Sequence, residues 1–133
     1  MKINVDSKNI YDFAEIMSLI SHEFGLVGMD WSNVQGVFNC NDEMSFNVVE
    51  DDTPLTACVK LKAMLPAEKI KSGLIFFSVN EKTLELNGNE IEPSLTELAN
   101  CVLEEDRNLI WNVYETEQEE NCKIYFFRGD KTL

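Results

Sequence analysis

The residues best equipped for chemistry lie in one short stretch, Gly25-Leu-Val-Gly28-Met-Asp30-Trp31-Ser-Asn33-Val. A carboxylate in such a loop can polarise water or hold a cation, but it needs a second charge to help it. His22 is the only histidine, and it falls late on a predicted helix, where an imidazole suits the helix dipole. A His-based metal site or a Ser/His/Asp or Cys/His nucleophile is therefore not expected. The six glycines are scattered, so no run of backbone N–H groups is available to cradle a phosphate. Glu50-Asp51-Asp52 and the acids from Glu115 to Glu120 lack the alternating spacing of a calcium loop and read as solvated faces. The expected catalytic, metal and cofactor residues are none. The 25–34 stretch, with Gly25, Gly28, Asp30, Trp31 and Asn33, reads either as a helix C-terminus with a plain turn into a strand or as a shaped loop built to meet something. Asp30 has two open readings, a functional loop carboxylate or a turn aspartate bonded to its own backbone. Trp31 is expected to anchor the loop in the core.

The bulk composition narrows the partners. The chain has 133 residues, enough for one domain, and 24 acids against 11 bases leave a net charge of −13. That excludes general nucleic-acid binding and disfavours an anionic membrane surface, and it calls for a partner with neutral or basic surface. No apolar run approaches the roughly 18 residues of a membrane helix, and MKINVDSKN has no apolar signal core. Met1 reads as a natural start, and the expected location is cytoplasmic. Cys40, Cys58, Cys101 and Cys122 form no C-x-x-C pair and are expected as reduced thiols. Cys58 and Cys101 fall on apolar helix faces, where free Cys acts as a small hydrophobe.

The elements that position the loop follow from periodicity. Ser7 caps a predicted leading helix within residues 1–24, with Ile10, Phe13, Ala14, Met17, Ile20 and Phe24 on one stripe. Gly25 stands where a left-handed residue ends a helix. Residues 26–38 read as a loop and its continuation. Met44 to Val48 alternates as a half-buried strand, and Thr53-Pro54 starts a helix with Leu55, Cys58, Val59, Lys62 and Leu65 on its stripe. Gly73 to Val79 is apolar throughout, a strand covered on both faces. Asn87-Gly88 predicts a small inserted hairpin near 83–92, and Ser94 with Glu97 makes a capping box for a helix to about Glu105. Strands at 108–115 and 122–128 are expected as an antiparallel pair across an acidic connector. The fold class is thus an α/β (α+β) two-layer sandwich, one domain over 1–133 with the sandwich at 25–130. Its mixed four-stranded sheet runs strand-helix-strand-helix-strand-strand. The two crossover helices lie on one face, and the N-terminal helix is free to cover the other. Right-handed crossovers place both internal helices together if the strands are ordered 1-4-2-3.

That order, with the loop, resembles the C-terminal domain of the FtsZ/tubulin superfamily. Gly25-Leu-Val-Gly-Met-Asp-Trp-Ser-Asn-Val is similar to the family's G-L-[IV]-N-x-D-F-[AS]-D-V loop. Gly73-Leu-Ile-Phe-Phe, Ser94-Leu-Thr-Glu-Leu and Asn108-Leu-Ile-Trp-Asn-Val resemble later family segments in matching order, so the resemblance runs from about Ile10 to Asp130. It implies a domain without the family's GTP-binding part, with no GTP binding on its own. The family's loop projects into the nucleotide pocket of the next filament subunit, where an Asn and two acids place a water and a cation. Here Asp30 matches the first acid, Gly28 stands at the Asn position, Asn33 at the second acid and Trp31 at the Phe. The resemblance therefore implies a non-catalytic protein-interaction module, not an enzyme, that binds or caps an FtsZ/tubulin-like polymer or self-associates. The alternative is a small ligand-binding protein or enzyme with a site near 25–34.

Overall fold

In the computed structural model, which describes residues 1–22, 25–26, 31–104, 109–117 and 121–132, the last strand of the chain lies in the middle of the sheet. This strand, β5 (Cys122–Thr132), is flanked by β2 (Asn41–Asp51) and β3 (Gly73–Val79), both antiparallel to it. Parallel strands complete each side, β1 (Lys2–Asn4) beside β2 and β4 (Leu109–Glu115) beside β3, giving the order β1-β2-β5-β3-β4. The four expected strands do stand in the order 1-4-2-3. β4 and β5 are not paired, however: β3 lies between them and takes the hydrogen bonds of both.

Each crossover helix sits where its sequence and handedness put it. α3 (Pro54–Met64) connects β2 to β3, and α5 (Ile91–Val102) connects β3 to β4. Thr53 Oγ1 accepts from the Thr56 N–H at 3.2 Å and Pro54 fills the first turn, the expected start for α3. Both helices pack on the face formed by Val49, Ile75, Phe77, Ile124 and Phe126. The opposite face, with Phe46, Leu74, Phe76, Tyr125 and Phe127, is covered by α1 (Ile10–His22) and α2 (Trp31–Cys40). Two faces covered by helices make three layers in place of the expected two. They also explain why every residue of β3 is buried. Phe127 is the hub of the α1–α2 face, with ring centroids of Phe46 at 4.9 Å, Phe38 at 5.7 Å, Phe13 at 6.1 Å and Phe76 at 6.2 Å.

Several local expectations are corrected. The fifth strand, β1, has three residues, too short for an alternating pattern, and is fixed by Asn4 Nδ2 donating to Glu43 Oε1 at 2.8 Å. Asp6, not Ser7, accepts from the Lys8 N–H before α1, and the covered stripe is Phe13, Ile16, Met17 and Ile20, with Ile10 and Ala14 exposed. Phe24 lies outside the described residues. Residues 31–40 are helix and not loop, because Val34 and Val37 bury one turn apart. α3 turns Pro54, Ala57, Cys58 and Leu61 inward and leaves Leu55 and Val59 exposed.

The hairpin at Asn87-Gly88 is absent. Asn80 Oδ1 accepts from the Thr83 N–H at 2.8 Å and starts α4 (Glu81–Asn87), and a 3-10 turn leads directly into α5. Gly88 has φ −59°, so the turn signal is overridden by packing of Leu84 and Ile91 on the α3–α5 core. α5 therefore begins three residues before Ser94, which lies inside it. Cys58 is buried as expected, but Cys101 is exposed; Cys122 is buried and Cys40 exposed, and all four thiols are free. Burial pushes the Cys58 thiol up to about 12, with Glu97 adding to it. Cys122 rises to about 12 chiefly by burial, with Cys58 and nearby acids contributing. Neither is a thiolate at neutral pH.

Phe127→Ala is expected to cost about 3–5 kcal/mol, because it empties the centre of the aromatic cluster. Cys101→Ser on the exposed side of α5 is expected to stay within about 0.5 kcal/mol of the parent. Urea unfolding followed by circular dichroism checks both.

Candidate functional site

The loop is moored at its first end to the edge strand β4. Gly25 has φ 69°, the left-handed conformation expected of it. A Cβ there would lie 2.6 Å from both Nδ2 and Oδ1 of Asn112, so the position also needs glycine for space. Asn112 is buried in β4, and its Oδ1 accepts from the Val113 N–H at 2.8 Å. The Leu26 N–H donates to the Val113 carbonyl at 2.7 Å. A neighbouring side chain and the loop backbone thus take the polar groups of Val113, which closes this part of the β4 edge to another strand.

The other end of the loop is α2. Trp31 is its first residue, and Val34 and Val37 seat the helix in the core. Trp31 is 43% exposed and Leu26 is 60% exposed, so two large apolar side chains flank the loop. Trp31 is therefore not the core anchor expected of it: Val34, a turn further on, takes the buried place. Asn33 is exposed in the first turn of α2. Gly28 and Asp30 lie outside the described residues. Sequence reasoning missed Asn112 and Leu26. The available signal was a lone asparagine inside the apolar strand Leu109-Ile-Trp-Asn-Val.

α1, which leads into the loop, is held to the central strand by polar contacts as well as by its stripe. Lys123 Nζ meets Asp12 Oδ1 at 2.8 Å, and the Tyr125 hydroxyl donates to Glu15 Oε1. Burial alone would lower the Lys123 pKa. The Asp12 hydrogen bond and charge, helped by Glu15 and Glu50, outweigh it and leave the ammonium raised. His22 Nδ1 donates to the Ser18 carbonyl at 3.0 Å within its own helix, a local role. Among the described residues no group of three His, Cys, Asp or Glu side chains is placed to hold a metal. The described part of the site offers apolar contact beside neutral polar groups.

No family model and no curated protein matches the chain by sequence. Solved structures match it by fold. An empty FtsZ dimer from M. jannaschii superposes with a TM-score of 0.71 at 16% identity, covering 94% of this chain and 40% of that one. A point mutant of FtsZ from the same organism gives 0.64 at 16% identity, covering 98% and 42%. CetZ from Methanosaeta thermophila gives 0.59 at 9% identity, covering 87% and 34%. The chain has the fold of the FtsZ/tubulin C-terminal domain and spans about 40% of the length of these FtsZ structures.

Gly25→Ala is expected to destabilise by about 1–3 kcal/mol, through the left-handed backbone and the contact with Asn112. In the exposed helical position Gly36, where a Cβ meets nothing within 4 Å, Ala is expected to stabilise by about 0.5–1 kcal/mol. Chemical denaturation of the two variants tests the contrast. A raised Lys123 pKa gives a second test. Its stabilisation is fully present below the unfolded value of 10.5 and fades as pH rises through the higher folded value. The stability gap between the parent and Lys123→Met is expected to be flat through neutral pH and to shrink in that alkaline window.

Proposed function

We propose that the chain is a non-catalytic protein-interaction module of the cytoplasm that presents its 25–33 loop end to a protein partner. The observation that carries this is the pair of exposed apolar side chains, Leu26 and Trp31, on a loop whose ends are fixed by β4 and α2. Leu26 and Trp31 are themselves held by β4 and α2, which keeps their ordering cost low, and an exposed Trp is among the side chains that dominate contact energy, with Leu26 adding apolar area. The partner favoured by the fold is an FtsZ/tubulin-like polymer, with a second copy of this chain as the other choice. A module that offers one complementary end of a head-to-tail contact, and not the other, stops a filament from extending. The reading carries no catalytic step, since Asn33 stands where a second carboxylate would be needed. It also carries no nucleotide site, for want of a glycine-rich phosphate loop.

Sedimentation of GTP-assembled FtsZ with increasing amounts of the chain tests this. Polymer mass is expected to fall, and unchanged mass and length would contradict capping. Leu26→Asp with Trp31→Asp is expected to weaken the effect about tenfold or more while the melting temperature is kept, because both side chains are exposed.

A further inference from the structure

The second edge of the sheet is only partly filled. β1 pairs with Glu43, Met44 and Ser45 and then leaves, while β2 continues to Asp51. Among the described residues no strand lies beside the outer edge of Val48 to Glu50. The Glu50 carbonyl accepts from Lys60 Nζ at 3.1 Å, so it is turned away from β5. Backbone groups of one strand repeat their direction every second residue, so those of Val48 point the same way. A hollow of about 190 Å³ runs along this edge. Lys60 and Met64 of α3 border it on one side and Asn9 and Asp12 on the other, with Val48 and Glu50 between. Met64 is 49% exposed there.

We propose that this edge binds one extended peptide strand of a partner protein, continuing the track that β1 begins, with apolar residues in alternation and a basic residue at the Glu50 end. The backbone groups of Val48 and Glu50 supply the register, as in strand addition generally. Residues of α3 and of the start of α1 border the hollow on either side. Two features fix the chemistry of the occupant. Val48, Val49 and Met64 give it apolar contacts on both faces of the edge. Glu50, Asp51 and Asp52 end the strand in a chain of net charge −13, which selects a basic segment and repels a second copy of this chain. Lys60 guards the edge: an ammonium on an edge carbonyl discourages pairing with unsuitable strands. An arriving strand replaces it with a backbone N–H, and the freed Lys60 returns to solvent. This site is separate from the 25–33 loop and does not depend on it.

Amide exchange measured by NMR on the full chain tests the proposal, with acetyl-Lys-Val-Thr-Val-Lys-amide as the probe. The Val48 and Glu50 amides are expected to exchange freely in the chain alone and to slow about tenfold or more with millimolar peptide. The same peptide with proline at its centre, or with glutamates for its lysines, is expected to have no such effect. Lys60→Met, which leaves the fold intact at an exposed position, is expected to tighten the peptide several-fold. Three results would overturn the proposal. One is protection of both amides in the chain alone to the level of Ile124. Another is exchange that the lysine peptide leaves unchanged. The third is protection that grows with chain concentration without peptide, which would assign the edge to self-pairing.

Discussion

Everything in this molecule hangs on burying β5 from both sides. Ile124, Tyr125, Phe126 and Phe127 have no exposed surface, and they alternate between the two cores. A strand with apolar residues on both faces cannot be stable until helices cover each of them. β5 also separates β2 from β3, so the two parallel strands joined through α3 are not neighbours and α3 must cross over β5. Right-handed crossovers then put α3 and α5 on the same face, which leaves the other face to α1 and α2. Because the central strand follows the other four in sequence order, the sheet closes through contacts between distant parts of the chain, a non-local and hence slow step.

From that constraint the loop acquires its place. α1 and α2 must both lie on the Phe127 face, so the chain between them has to turn at the rim of the sheet. It does so at the β4 edge, where Gly25 fits over Asn112 and Leu26 bonds Val113. The loop is therefore held by the fold at both ends, and Leu26 and Trp31 remain outside. The polar pairs Lys123–Asp12 and Tyr125–Glu15 add direction to an otherwise apolar seam, since they lock α1 in one register on β5.

Much of this was legible in the residues and some was not, for identifiable reasons. The uniform apolar run of β3, the Thr53-Pro54 helix start and the Gly25 turn were readable because each rests on a strong local rule, whereas the expected pairing of the last two strands fails because β3 lies between them. Residues 83–92 were misread because Asn87-Gly88 is a hairpin signal only when both flanks pair, and here Leu84 and Ile91 gain more by packing as helix. β1 was invisible because three residues show no period. Trp31 was misplaced because its size suggests a core, while the register of α2 is set by Val34 and Val37. At the candidate site the glycine was read correctly, but the reason it must be glycine lies in Asn112, far along the chain, and only the folded contact reveals it.

The central claim is that the chain meets its partner through Trp31 and its loop. Trp111→Phe leaves Trp31 as the only tryptophan, and its fluorescence can be followed while assembled FtsZ is titrated in. A blue shift that saturates with binding is the predicted result, since a part-exposed indole becomes buried. Binding detected by sedimentation with no change in the Trp31 emission would contradict the account.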